Sequence, residues 1–203
     1  MRFEFSWAIA RFRQRRRAPI LLILAGISCF STGAIASENS VLWDALRSGG
    51  TVALLRHAVA PGTGDPAAFA LRDCSTQRNL SEEGRAQAKR IGARFRANGI
   101  DNAMVFSSQW CRCLETAKLL GLGPVKELPA LNSFFGRYER RGAQITAMKI
   151  WIARQELGAR VLLVTHQVNI TGLTNVFPAS GELVIVSRAE DGSLRTLGTI
   201  ETD

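Results

Sequence analysis

The chain has 203 residues and a formal net charge of +9. Residues 1–36 hold six arginines and one glutamate, a net charge of +5, so residues 37–203 carry only about +4. This moderate charge removes most of the support for a nucleic-acid-binding protein, and we expect no nucleic-acid partner. The 167 residues after position 36 are enough for one domain with a hydrophobic core and too few for two large domains.

Residues 1–36 have the pattern of a secretory signal peptide. An arginine-rich region is followed by an apolar run over 20–27 and by Ala34-Ile35-Ala36, which fits the small-x-small cleavage rule. The alternative is a retained membrane anchor, because the apolar span 19–35 is near the lower limit for crossing a bilayer, but its polar residues weaken that alternative. We therefore predict cleavage after Ala36, a periplasmic or secreted protein without a stable membrane span after cleavage, and one domain over residues 37–203.

Three cysteines remain after the predicted cleavage, namely Cys74, Cys111 and Cys113. In an oxidising compartment Cys74 could pair with either of the other two, which leaves one free thiol. The Cys-x-Cys spacing is too tight for a zinc knuckle, and the sequence has no second cysteine pair, so a disulfide is favoured over a metal site. The sequence does not decide which pair forms.

Apolar periodicity and turn residues predict that helices and strands alternate along the domain. The predicted helices are 41–47, 81–97, 110–120, 144–155 and 168–176, and the predicted strands are 51–55, 103–106, 161–165, 182–187 and 194–200. Ser107 and Ser108 are predicted to cap the third helix, and residues 128–141 are predicted to form an irregular lid. This order predicts a three-layer α/β sandwich with a mostly parallel sheet and a C-terminal hairpin at one end.

The two histidines of the sequence each follow an apolar run. Thr51–Leu55 leads into Arg56 and His57, and Val161–Thr165 leads into His166. In open α/β sheets, ligands bind at the carboxyl edge of the strands, where both histidines are expected. Neighbouring side chains on a strand face opposite ways, so Arg56 and His57 can meet one ligand only if the strand ends there.

Two further features point to an anion. Arg112 lies in the first turn of the helix that follows Ser107-Ser108, and a helix N-terminus with a guanidinium favours a phosphate or carboxylate. The loop 60–66, which includes Thr63, has backbone N–H groups that could line an anion site, although such glycine-rich loops are often simple turns. This loop matches no dinucleotide or P-loop spacing.

Four blocks of sequence, taken together, resemble the histidine phosphatase superfamily, which has the phosphoglycerate mutase-like fold. These blocks are residues 54–58 (LLRHA), 79–87 (NLSEEGRAQ), 107–117 (from Ser-Ser through Arg112 to Glu-Thr-Ala) and 164–166 (VTH). They occur in the family's order and cover nearly all of the predicted domain. The chain is most similar to the small exported members, which include phosphatases proposed to act on lipopolysaccharide core sugars.

The resemblance implies a metal-independent phosphatase without a cofactor. His57 would attack the phosphoryl group and carry it as phosphohistidine, because a neutral imidazole offers a free nitrogen near neutral pH. Arg56, Arg112 and His166 would surround the phosphoryl oxygens, with Thr63 in the phosphate-binding loop. The substrate would be a small phosphorylated compound, with a sugar phosphate or a lipopolysaccharide phosphate as candidates.

The chain departs from the family's pattern at the proton donor. Gln167 stands where one branch has an aspartate, and residues 131–134 contain no carboxylate, so Glu182 and Asp65 are the candidates that remain. Ala58 replaces a common glycine, which is a minor change. Without an acid, good leaving groups such as phosphohistidine or aryl phosphates would be favoured. The alternatives are therefore a phosphate-ester binding module with little turnover and a phosphohistidine-protein phosphatase.

Overall fold

A computed structural model describes residues 32–156, 158–189, 191 and 193–202, so most of the predicted signal peptide lies outside the described residues. The helices are α1 (Thr32–Ser48), α2 (Glu82–Ala97), α3 (Cys111–Leu120), α4 (Arg141–Ala153) and α5 (Gln167–Thr174). The strands are β1 (Thr51–Arg56), β2 (Met104–Ser107), β3 (Val125–Glu127), β4 (Val161–Thr165), β5 (Leu183–Arg188) and β6 (Leu194–Ile200). No helix in these ranges is both long and apolar enough to span a bilayer.

The described strands form one sheet in the order β3-β2-β4-β1-β5-β6. The pairs β1–β4, β2–β4 and β2–β3 are parallel, whereas β5 runs antiparallel to β1 and pairs with β6 as a hairpin. The predicted parallel sheet with a C-terminal hairpin at one end is therefore confirmed. Strand β1 lies in the interior of the sheet, and its burial on both faces explains why its sequence is continuously apolar.

The two faces of β1 contact different helices, which makes the domain a three-layer sandwich. Ala53 and Leu55 belong to a core with the apolar residues of α1, α2 and α3. Val52 and Leu54 belong to a second core with those of α4 and α5. This division follows from the alternation of side chains along a strand.

Helix α2 matches the prediction at its N-terminus, where the Ser81 side chain accepts a hydrogen bond from the N–H of Gly84. The apolar face of α2, which includes Ala88, Ile91 and Phe95, is buried. The capping role predicted for Ser107 and Ser108 is wrong, because the N-cap of α3 is Trp110 and makes no side-chain capping bond. The Ser108 hydroxyl instead lies 2.8 Å from Nε2 of His166.

Other observed elements differ from those predicted from the sequence. Helix α1 begins at Thr32, before the predicted cleavage position, and α4 begins at Arg141 rather than at residue 144. Strand β3 was not predicted because its three partly exposed residues are too few to show a period. The predicted lid contains only short 3₁₀ turns, at Pro129–Leu131 and Tyr138–Arg140.

Cys74 and Cys111 form a disulfide, which is one of the two pairings that the sequence left open. Cys113 is free and buried. The disulfide joins the loop before α2 to the first residue of α3, immediately before Arg112. It therefore fixes the start of the helix that carries this arginine.

Glycine 92 allows α2 to approach the end of α3, because a Cβ there would lie 2.0 Å from the carbonyl oxygen of Leu120. We expect Gly92→Ala to lower the free energy of unfolding by about 2 kcal/mol or more, since the backbone must move. Gly142→Ala in α4 is the control, because a Cβ there meets nothing within 4 Å. It should raise stability by up to about 1 kcal/mol through helix propensity. Urea unfolding measures both, and equal effects would contradict the packing described.

Candidate active site

The two histidines lie side by side because they follow neighbouring parallel strands in the same register. Arg56 of β1 pairs with Thr165 of β4, so His57 and His166 are the next residue on each strand. The N–H of His57 donates to the carbonyl of Thr165 (3.0 Å), and the two imidazole centroids are 5.5 Å apart. Both side chains are buried, as expected for residues at the carboxyl edge of a covered sheet.

His57 presents one nitrogen to the site. Its Nδ1 lies 2.8 Å from its neighbour's carbonyl oxygen, that of Ala58, which requires a proton on Nδ1 and leaves the lone pair on Nε2. Nε2 faces Arg112, whose Nε donates to it at 3.2 Å. Burial first, and then the positive charge of Arg112, lower the pKa of His57 from 6.5 to about 3. The imidazole is therefore neutral near pH 7, with its free nitrogen directed towards the arginine.

His166 is held in a similar way. Its Nε2 lies 2.8 Å from the hydroxyl of Ser108, and its Nδ1 lies 3.5 Å from Nη2 of Arg112. Burial and the charge of Arg112 lower its pKa well below the usual value. These contacts fit a neutral tautomer in which Nε2–H donates to Ser108 and Nδ1 accepts.

The guanidinium of Arg112 contacts the two histidines with one edge and Asp65 with another. The Nε and Nη2 edge faces the two histidines. The Nη1 and Nη2 end binds Asp65 bidentately, with distances of 2.7 Å to Oδ1 and 3.0 Å to Oδ2. Only 3% of the Arg112 side chain and 9% of that of Asp65 are exposed. The carboxylate therefore fixes the plane of the guanidinium and directs its other edge into the space between the histidines.

Asp65 accepts more hydrogen bonds than those from Arg112. The indole N–H of Trp110 donates to Oδ2 at 3.0 Å, and the backbone N–H of Arg78 donates to Oδ1 at 3.1 Å. Burial would raise the pKa of Asp65, but the hydrogen bonds and charge of Arg112, with the other two donors, lower it. Asp65 is therefore an ionised, fully paired carboxylate, an arrangement that favours a positioning role over the proton-donor role considered from the sequence.

Arg56 supplies a further cation. Its Nη1 donates to the carbonyl of Pro178 at 2.8 Å, and its Nε is buried without a hydrogen-bond partner in the described residues. Burial and the charge of Arg112 lower its pKa, whereas Glu182 raises it. A buried donor without a partner is costly unless a ligand accepts from it. This residue therefore has a hydrogen bond to offer an anion.

A cavity of about 330 Å³ opens over these groups. Arg56, His57, Arg112 and His166 all line it, so the structure brings together the four residues predicted as the catalytic set. Thr63 lies at its exposed rim, in the loop that also contains Asp65. No group of three or more His, Cys, Asp and Glu side chains in the described chain is arranged to hold a metal ion.

Glu182 does not join the cavity lining. Its Oε2 accepts from the backbone N–H of Ala179 at 2.6 Å, which closes the turn before β5. Asp65 is the one carboxylate among the described residues that line the cavity. Neither candidate for the proton donor is therefore a free carboxyl group facing the histidines.

Three supporting residues were not identified from the sequence. Ser108 orients His166, and Gln87 accepts from the N–H of Val59 just after His57. Arg78 binds the glycine-rich loop through the carbonyls of Ala60 and Gly64. Arg78 directly precedes the second family-like block, which is the only sequence pattern that points to it.

Comparison with known proteins relates this sequence to a protein family. Residues 52–149 match the sequence model of the histidine phosphatase superfamily, branch 1. This match places residues 52–149 in the histidine phosphatase superfamily. Membership supports a phosphatase function. No curated protein matches the sequence significantly.

Solved structures of this superfamily share the fold. The protein histidine phosphatase SixA, complexed with tungstate, superposes with a TM-score of 0.51 at 18% identity, covering 75% of this chain and 97% of SixA. A mycobacterial glucosyl-3-phosphoglycerate phosphatase has a TM-score of 0.51 at 16% identity, covering 73% and 97%. Phosphoserine phosphatase from Entamoeba histolytica has a TM-score of 0.51 at 13% identity, covering 75% and 97%. At these low identities the superpositions establish the fold alone, and it is the fold that the sequence predicted.

The neutral buried histidines predict a specific pH dependence of stability. The pKa of His57 is lowered from 6.5 to about 3 on folding, so between these values the unfolded chain binds more protons. The free energy of unfolding should therefore fall as the pH decreases through this range. His57→Asn should make that fall shallower, which urea unfolding at several pH values would measure. Parallel pH dependences in the two proteins would contradict the burial of a neutral His57.

Proposed function

We propose that this protein is an exported phosphomonoesterase that works through a phosphohistidine on Nε2 of His57. The observation that carries the proposal is the position of this unprotonated nitrogen, 3.2 Å from Arg112 Nε and beside the second histidine. A phosphoryl group placed there would meet a nucleophile on one side and fixed donors on the others. Family membership supports the same chemistry.

The reaction has two steps. In the first, the lone pair of His57 Nε2 attacks phosphorus, the N–P bond forms, and the bond to the leaving oxygen breaks; the leaving oxygen departs as an anion and takes a proton from solvent. In the second, water attacks phosphorus, the N–P bond breaks and the lone pair returns to Nε2. Inorganic phosphate leaves, and one proton of the attacking water returns to solvent. The proton stays on His57 Nδ1 throughout, where it is donated in a hydrogen bond to the carbonyl of Ala58, and this keeps the attacking Nε2 unprotonated in the resting state.

The charged groups around the nucleophile act on the phosphoryl oxygens. The Nε and Nη2 edge of Arg112, which faces the two histidines, and the unpaired Nε of Arg56 would donate to them as negative charge develops. His166 can donate only when Nδ1 carries a proton, and a bound phosphate dianion favours that protonation through its charge. The same dianion would offset the mutual repulsion of the two arginines, which lowers the pKa of Arg56.

A second candidate function is hydrolysis of phosphohistidine in proteins. It is favoured by the cavity lining, in which the described residues offer one carboxylate, Asp65, and that group is already paired with Arg112. A leaving group that departs without a proton from the enzyme suits such a site, and a protonated imidazole or a phenol is of this kind. Sugar phosphates, including those of lipopolysaccharide, need more assistance and remain a proposal about the natural substrate.

Export is supported by two features of the chain. The first is the pattern of residues 1–36, and the second is the disulfide between Cys74 and Cys111, a bond that persists in oxidising compartments. Metal independence is part of the proposal because the mechanism uses a histidine nucleophile and cationic side chains. Metal independence is open to direct test on the purified protein, and export is open to test by fractionation of cells that express the full chain.

The proposal predicts phosphate release from an aryl phosphate in the presence of EDTA. His57→Asn should abolish it, and the double variant Arg112→Gln with Asp65→Asn should lower kcat about 10²- to 10³-fold, the loss typical of an oxyanion donor. The double variant avoids leaving Asp65 buried and unpaired. Arg141→Gln is the control for loss of an arginine elsewhere, because Arg141 is exposed at the start of α4 and does not line the cavity.

Phosphate release should be unchanged in Arg141→Gln, and thermal melting should confirm that all variants fold. Turnover that persists in His57→Asn, or that EDTA abolishes, would contradict the mechanism. Phosphate binding by the folded wild-type protein without any turnover would instead favour the binding-module alternative.

If Asp65 positions Arg112, removing its carboxylate should affect substrates with different leaving groups equally. Asp65→Asn should lower kcat/KM about tenfold for aryl phosphates, alkyl phosphates and phosphoramidates alike, because it disturbs Arg112 in every case. Steady-state kinetics over a series of leaving groups measures this. A loss confined to alkyl phosphates would show that Asp65 is the proton donor instead.

A further inference from the structure

The outer half of the cavity has a charge that a phosphomonoester does not neutralise. Arg137 and Arg140 line it in addition to the arginines near the histidines. The carboxylate that lines the described cavity, Asp65, is paired with Arg112, and Glu182 lies close enough to Arg56 to raise its pKa. A phosphate dianion between the histidines would therefore leave the two outer arginines without a counter-charge from the substrate.

Arg137 and Arg140 lie in the segment 133–140, and hydrogen bonds hold the residues that precede this segment. At its base, the side-chain amide of Gln144 donates to the carbonyls of Pro129, Ala130 and Asn132. Asn169 donates to the carbonyls of Leu131 and Asn132. Phe134, two residues after Asn132, is 3% exposed and belongs to the core that includes residues of α4 and α5. The start of the segment 133–140 is therefore held in place by hydrogen bonds and by burial of Phe134.

The turn also contacts the loop that carries Asp65. A Cβ on Gly64 would lie 3.5 Å from Cε1 of Phe135, so this ring packs over the glycine at the mouth of the cavity. Phe135 and Tyr138 remain largely exposed, with ring centroids 6.2 Å apart. Apolar surface and guanidinium groups are thus adjacent where the leaving group of a substrate would emerge.

We propose that the substrate carries a second anionic group on its leaving group, which Arg137 and Arg140 bind while the phosphoryl group lies between the histidines. This inference rests on the proposed function only for the position of the phosphoryl group. Arginine forks bind carboxylates and phosphates alike, so the shared chemistry is a second acid group joined to the phosphate through an apolar or aromatic linker.

Binding of phosphonates that cannot be hydrolysed tests this inference apart from catalysis. Calorimetry on the full chain would compare 4-carboxybenzylphosphonate with 4-carbamoylbenzylphosphonate, and a third probe with a second phosphonate in place of the carboxylate. We expect both diacids to bind more tightly than the amide, by about fivefold for each exposed arginine engaged. The carboxylate and phosphonate arms show which second acid is preferred.

The variants make the comparison specific. Arg137→Gln with Arg140→Gln should abolish the preference for the diacids and leave amide binding nearly unchanged, because both side chains are exposed, whereas the histidine pair is buried. Arg141→Gln, which removes the same kind of charge one residue further on, should keep the preference. Higher salt should reduce the preference in the wild type.

Two results would overturn the inference. One is equal binding of the diacids and the amide by the wild type. The other is a loss of preference in Arg141→Gln that is as large per charge removed as the loss in the double variant, which would indicate a general field. Failure of the proposed function would give a different result. Aryl phosphates would not be turned over, and this outcome does not depend on which phosphonate binds most tightly.

Discussion

The buried ion pair between Arg112 and Asp65 is the interaction on which the geometry of the site depends. The carboxylate holds the guanidinium by two hydrogen bonds of 2.7 and 3.0 Å, so the remaining edge faces both histidines. The pair also joins three parts of the chain, because Trp110 and Arg78 donate to the same carboxylate. An arginine alone at the start of α3 would supply charge, whereas this network also supplies orientation.

Burial and repulsion among cations set the protonation of the histidines. Enclosure at the sheet edge, together with Arg112, holds the pKa of both imidazoles low, so the nucleophile candidate needs no separate base. The same repulsion means that the empty site is electrostatically unfavourable. A phosphate dianion relieves it, and binding energy from this relief is available at the reacting group. The phosphoryl affinity that we propose and the low pKa of His57 therefore share a physical cause, the positive charge of the arginines.

Much of this arrangement could be predicted from the sequence, and the rest could not for identifiable reasons. Strands β4 and β6 were predicted at their observed bounds, and two strands that each end in a histidine indicated a shared edge. The partnership of Asp65 with Arg112 spans 47 residues and has no local pattern. Ser108 was interpreted as a helix cap because its local sequence favours one, yet the hydroxyl contacts His166. The position of Glu182 also needed the structure, because a carboxylate near a strand end can face either a site or its own turn.

The central claim is that His57 carries the phosphoryl group, and mapping that group during turnover tests it most directly. An aryl phosphate reaction on residues 37–203 would be quenched with alkali, which preserves phosphohistidine, and peptides would be analysed by mass spectrometry. The account predicts a phosphorylated peptide containing His57, formed and lost at rates that match turnover, and no phosphorylation of His166. Phosphate on another residue, or turnover without any phosphorylated peptide in a quench faster than one catalytic cycle, would contradict it.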